Sequence, residues 1–188
     1  MQPLSIRIFC CTFAHSFVVS MSALFYDMGS GIEAFSSRRD GVLPFPVVRG
    51  HQVHQTQVAV IEQVAVERHK RPADLTREDL WGYDALVTAV PDVGIAVRTA
   101  DCIPVLLYDS DKRVIAAIHA GWRGTVGCIV RATIRRMEGL FHTVPSDLYA
   151  VIGPGIARAS FQVGGEVVEQ FREAHFREQS LYRHTLKA

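Results

Sequence analysis

A chain of 188 residues with 48% hydrophobic side chains, 20 basic against 19 acidic groups and a formal charge of +1 holds enough apolar material for one globular core. This balance excludes a disordered chain and gives no basis for a nucleic-acid partner, which needs a clustered excess of Lys and Arg. Four cysteines, Cys10, Cys11, Cys102 and Cys128, are too few and too irregular for a disulfide framework, so a reducing, cytoplasmic setting is expected.

No apolar run reaches the roughly 18 residues of a membrane span, and no membrane partner is expected. The stretch from Ile6 to Val19 has one Arg near its start, an apolar middle and small residues beyond it. Residues 1–22 are therefore expected as an extension outside the fold, with Met21 as the natural start. A buried strand and a secretion signal are the alternatives. Gly31–Ser36 alternates apolar and polar residues as a half-buried strand does, and Gln57–Glu62 reads as a second strand. Arg71–Trp81 reads as a connector or short helix with a Thr76-x-x-Asp79 start signal.

Four apolar runs follow closely: Asp84–Thr88, Gly94–Arg98, Ile103–Tyr108 and Val114–His119. Continuous runs of this kind are strands covered on both faces, the middle of a layered sheet. Thr125–Met137 carries Val126, Ile129, Val130, Thr133, Ile134 and Met137 on one helical face, with Arg131, Arg135 and Arg136 off it. Leu148–Gly153 reads as a further strand and Glu166–Glu173 as a second amphipathic helix. One α/β domain with a mixed sheet, spanning 23–176, is expected. Residues 177–188 lack an apolar face and read as a loose or truncated end.

The chemistry concentrates at two strand ends. If the strands starting after Cys102 and ending at His119 pair through the Asp109-Ser110-Asp111 turn, a thiol and an imidazole meet at one end of the sheet. Such a pair serves as a nucleophile with its base or as two metal ligands; a packed Cys and a merely hydrogen-bonded His are the plainer alternative. Gly121-Trp122-Arg123-Gly124-Thr125 sets glycines and an Arg before a helix, where amides and a guanidinium converge on an anion. His51-Gln52-Val53-His54 precedes a strand, so at most one of its two His points into a site. His54 completes a His, Cys, His set with an open fourth position, as a catalytic zinc requires. Ile152-Gly153-Pro154-Gly155 closes a strand with a turn at which backbone approaches a ligand closely. Cys128 is read as packing within its helix.

These segments, with Asp84–Thr88, Thr99–Asp109 and Ala150–Gly155, resemble the YfiH-type, or laccase-domain, family from about Gly31 to Phe171. The resemblance implies a compact α/β sandwich unrelated to the cupredoxin fold. It implies an enzyme that cleaves adenosine, inosine or methylthioadenosine with inorganic phosphate and deaminates adenosine; the older family label is polyphenol oxidase. It places zinc on His54, Cys102 and His119, and phosphate contacts on Arg39, or its neighbour Arg38, and on Arg123. Gly124 and Gly153 are the expected substrate-side backbone positions. Asp101 is expected to orient His119 or a proton-transfer water. Copper ranks below zinc, because a multicopper centre needs many more His ligands. The chain is shorter than the family pattern between Arg39 and Gly50 and after about Phe176. Two other readings stand beside the phosphorylase: a metal-free hydrolase with Cys102 as nucleophile and His119 as base, and a non-catalytic remnant that binds nucleosides.

Overall fold

The computed structural model describes residues 6–12, 23–29, 32–38 and 47–177. Two compact units divide the chain, Met1–Gly155 and Ile156–Ala188. Arg39 and residues 178–188 lie outside the described residues. In chain order the first unit contains β1 (Ile6–Thr12), β2 (Ala23–Tyr26), β3 (Ile32–Arg38), β4 (Val47–Arg49), β5 (Val58–Val60), α1 (Ile61–Glu67), β6 (Ala85–Thr88), β7 (Gly94–Thr99), β8 (Ile103–Asp109), β9 (Val114–Ala120), α2 (Trp122–Val126), α3 (Ile129–Phe141) and β10 (Leu148–Ile152). The second unit contains α4 (Gly165–Glu173), an amphipathic helix where one was expected.

The strands form two five-stranded sheets, ordered β2-β3-β1-β7-β4 and β10-β8-β9-β6-β5. In the first, β3, β1, β7 and β4 run parallel and β2 returns antiparallel along the edge. In the second, only β5 and β6 are parallel. The fold is thus mixed α/β. One apolar core joins Ala34, Val48, Ile95 and Val97 of the first sheet to Leu86, Leu106, Tyr108 and Ile115 of the second. A second core joins the opposite face of the second sheet, through Val87, Leu107, Ala116 and Ile118, to Ile129 and Met137 of α3. Alternate residues of β6, β8 and β9 therefore face different apolar layers, which explains their continuous rather than alternating hydrophobicity.

Several expectations need correction. Ile6–Thr12, expected outside the fold, is the central strand of the first sheet, hydrogen-bonded to both β3 and β7. A short apolar run serves a leader and a strand equally well, so composition does not separate the two; residues 13–22 lie outside the described residues. The apolar run at Gly94–Arg98 does not join its three neighbours but crosses to the first sheet as β7. The strand expected over Gln57–Glu62 stops at Val60, and Ile61 opens α1, which buries Ile61, Val64 and Ala65 at helical spacing. The helix expected over Thr125–Met137 is two helices. Gly127 approaches the loop after β4 so closely that a Cβ there would sit 2.5 Å from the Thr56 methyl. Cys128 is not inside a helix but is the N-cap of α3, at φ 58°. The Arg71–Trp81 connector holds one short 3-10 turn, Pro72–Asp74, and Thr76 and Asp79 exchange side-chain hydrogen bonds as their spacing suggested.

Candidate metal centre

The topology explains why chemistry collects at one end. β3, β1, β7 and β4 all point their carboxyl ends the same way, and Arg38, Thr12 and Thr99 are in register across three of them. Ligand sites of parallel sheets lie beyond the carboxyl ends of the strands. Here the loop after β4 carries His54 and the loop after β7 carries Asp101 and Cys102. The antiparallel β8–β9 pair, with Pro104 opposite His119, brings His119 to the same end. The pairing inferred through the Asp109–Asp111 turn is present, and one candidate ligand atom from each of His54, Cys102 and His119 lies within 4.8 Å of the other two.

A residue outside the expected set organises this triad. Asp84, fully buried at the head of β6, accepts the backbone N–H groups of Val53 at 3.1 Å, His54 at 2.9 Å and Gln55 at 3.0 Å. Its carboxylate also lies 2.7 Å from His119 Nδ1, and the Asp84 carbonyl accepts the His119 N–H at 2.8 Å. Asp84 therefore fixes the His54 loop and the His119 ring together. The role of orienting His119, expected of Asp101, belongs to Asp84; Asp101 is exposed and lines the neighbouring cleft. Burial opposes ionisation of Asp84, but the His119 ring and the three loop amides more than offset it and hold its carboxyl below the usual range. For His119, burial lowers the imidazole while Asp84 and Cys102 raise it, and the balance stands at about 9. His54 is held low by burial first, then by His119 and Arg123.

The donor set fits a metal ion. Two imidazoles and a thiol match a borderline-soft cation such as zinc, and Asp84 on Nδ1 leaves His119 Nε2 for the metal, the carboxylate–histidine arrangement typical of such sites. Gly121 closes the cradle: a Cβ there would lie 3.1 Å from Cys102 Sγ and 3.4 Å from His54 Cδ2. His51, the other His of its motif, turns away and stacks on Trp81, with centroids 3.6 Å apart and planes at 11°.

Beside the triad opens a cleft of about 480 Å³. Arg49, Arg77, Arg98, Thr99 and Asp101 line it together with the triad. Gln52 stitches its wall, donating from Nε2 to the Arg98 carbonyl and accepting the Arg98 N–H at Oε1, each at 2.8 Å. The side-chain amide thereby continues the β4–β7 ladder by one more rung. Arg123 packs its guanidinium 4.2 Å above the Trp122 ring. Gly124 and Gly153 do not line this cleft. A Cβ on Gly124 would meet the Gln55 carbonyl at 3.2 Å, and one on Gly153 would meet Pro104 at 2.8 Å, so their smallness serves packing. Asp84 was legible only as a charged residue opening a fully apolar strand. Gln52 and the cleft arginines carried no spacing signal.

An α/β protein of two facing sheets with a His-Cys-His cradle at the carboxyl ends of parallel strands is the class that fold and site define. The chain belongs to the family described as multi-copper polyphenol oxidoreductase laccase, whose model matches residues 34–187. It is 43% identical over 155 residues to a protein of Bacteroides thetaiotaomicron named purine nucleoside phosphorylase, covering 78% of this chain and 56% of that one. It is 42% identical over 132 residues to adenosine deaminase RL5 from an unknown prokaryotic organism, covering 69% and 48%. Among solved structures it is similar to the hypothetical protein YfiH of Bacillus licheniformis, with TM-score 0.57 and 27% identity over 68% of this chain and 46% of that one. The chain thus spans about half the length of the relatives it matches. No described helix is long and apolar enough to cross a membrane.

Proposed function

We propose that the chain carries the catalytic centre of a zinc-dependent purine nucleoside phosphorylase that also deaminates adenosine, with adenosine, inosine and methylthioadenosine as substrates. The observation that carries this reading is the convergence of His54, Cys102 and His119 around one point, buttressed by Asp84, in a chain so similar to proteins named for these two activities. A single N, S, N set suits one zinc; copper ranks below it, since no second group of ligands accompanies it among the described residues.

When bound, zinc supplies Lewis acidity and generates a nucleophile from water near neutral pH. His54, Cys102 and His119 hold it, and Asp84 keeps the His119 ring in one tautomer. In phosphorolysis an oxygen of inorganic phosphate bonds to the ribose C1′ while the C1′–N9 bond breaks and the purine leaves with its electron pair. Arg123 and Arg39 are the expected contacts for that phosphate, neutralising its charge and holding it in line. Asp101, on the cleft wall beside Cys102, is assigned proton transfer to the departing purine. The enzyme is read as cytoplasmic.

The test is incubation of the purified chain with adenosine, phosphate and zinc. Adenine with ribose 1-phosphate, and inosine, are the expected products; neither appearing from zinc-loaded protein overturns the reading. One observation favours a second reading. The Asp84 carboxylate lies 2.7 Å from His119 Nδ1 and the Cys102 thiol lies within 4.8 Å of a His119 ring nitrogen, the order of a nucleophile, base and orienting acid, so Cys102 could act as a thiolate in a metal-free hydrolase. Near-stoichiometric zinc in wild type that disappears in Cys102→Ala excludes it.

A further inference from the structure

The three candidate ligands form a triangle, and each side of it has its own tie. Asp84 bonds the His54 loop and the His119 ring together. The β8–β9 ladder, with Ile103 opposite Ala120 and Pro104 opposite His119, joins Cys102 to His119. The third side runs from His54 to Cys102, between the loop after β4 and the loop after β7.

The strand ladder does not reach that side. β4 pairs with β7 only as far as Arg49 opposite Ala96, while β7 runs on to Thr99. Beyond Arg49 the chain turns onto the segment before β6. A Cβ on Gly50 would lie 2.9 Å from the Tyr83 carbonyl oxygen. His51 donates its N–H to the Leu80 carbonyl at 3.0 Å, and its own carbonyl accepts the Gly82 N–H at 2.9 Å. Gln52 returns across the opening by its side chain, holding the Arg98 carbonyl with Nε2 and the Arg98 N–H with Oε1. It stands two residues before His54, and Arg98 stands four before Cys102.

The residue type follows from this geometry. A strand residue turns its N–H and C=O to the same side, so one side chain that meets both must carry a donor and an acceptor together. The Gln amide is such a pair; Met offers neither, and Asn offers the same pair on a shorter stem. We propose that Gln52 is a positioning residue of the metal centre: its amide, locked on the Arg98 main chain, sets the separation of the His54 and Cys102 loops. The metal readouts below rest on the zinc reading, whereas the tie between the loops belongs to the metal-free chain.

Three measurements on the full chain test it: zinc affinity by chelator competition, absorption of the cobalt(II) form, and amide hydrogen exchange at residues 100–102 without metal. Gln52→Met keeps the volume and loses both bonds. It is expected to bind zinc about tenfold more weakly, the effect of two lost hydrogen bonds felt in part at the ligands. Its cobalt spectrum shifts in the thiolate and ligand-field bands, a change that a role in stability alone does not produce, and exchange at 100–102 quickens about tenfold. Gln52→Asn, too short to reach, follows Gln52→Met. Gln63→Met, the same change at an exposed glutamine bonded to Arg136, matches wild type throughout. Unchanged zinc affinity and cobalt spectrum in folded Gln52→Met or Gln52→Asn overturns the positioning role, whatever the exchange. So does loss of native circular dichroism in both variants, which assigns Gln52 to the fold. Wild type that takes up neither zinc nor cobalt breaks the zinc reading, and the tie between the loops then stands or falls on hydrogen exchange alone.

Discussion

The two sheets contribute to the site in opposite ways. The second, largely antiparallel and covered on both faces, delivers Asp84 and His119 from the ends of strands whose neighbours are 0–1% exposed, among them Leu86, Ala117 and Ile118. The first, mostly parallel, delivers Arg49 and Arg98 on exposed side chains and His54 on a loop. Asp84 and His119 are thus buried beside packed strands, whereas Arg49 and Arg98 stand exposed near the ends of theirs. The His54 loop belongs to the first sheet by connectivity but to the second by its bonds, because Asp84 of β6 secures it.

The largest effect is expected where the sheets meet. Asp84→Ala strips one buried partner from three loop amides and from His119, and is expected to destabilise the chain by about 3–5 kcal/mol in urea unfolding. Asp84→Asn, nearly the same shape, is expected to lower zinc affinity about 10–100-fold by competition with a chelating dye. If Asp84→Asn binds zinc as wild type does, the buttress is not coupled to the ligands. Next is the packed sheet alone: Leu106→Ala, fully buried between the sheets, is expected to destabilise by about 2–5 kcal/mol with zinc binding retained in the folded fraction. Equal loss of both would mean that packing and ligand geometry are not separable.

Gly121→Ala comes third. Its new methyl presses on Cys102 Sγ at 3.1 Å, so about 1–3 kcal/mol of destabilisation and reduced zinc occupancy are expected together. The smallest effect lies at the connector behind Arg77. The Asp79 carboxyl is held at about 2, against an ordinary 3.8, first by Lys70 and then by Thr76. A depressed folded pKa contributes stability that is fully present above 3.8 and is lost as pH falls through about 2. The stability gap between wild type and Asp79→Asn should therefore be constant from neutral pH down to about 4 and close below it. A gap that widens on acidification contradicts the assignment.

Much of this was legible in the residues. The runs that became β6, β8 and β9 were visible because strands covered on both faces need apolar residues at every position, and the pairing that joins Cys102 to His119 followed from one turn. His54 was legible because three donors suit a catalytic metal. The sheet change of β7 was not, since a buried apolar run does not encode which sheet it joins. Asp84 was missed because an aspartate before a strand looks like a turn residue until its four partners, from Val53 to His119, are placed in space. The break at Gly127–Cys128 was hidden because apolar spacing on either side stays in phase with a continuous helix.

His54 adopts a left-handed backbone at φ 62°, a conformation that non-glycine residues occupy at a cost of about 1–3 kcal/mol. Three amides gathered on one carboxylate stabilise that shape without any ion. The conformational entropy of ordering the loop is thus lost during folding rather than when metal arrives. A cation meets a mould already set, so its binding should carry the small entropy change of a rigid host and not that of a loop being frozen.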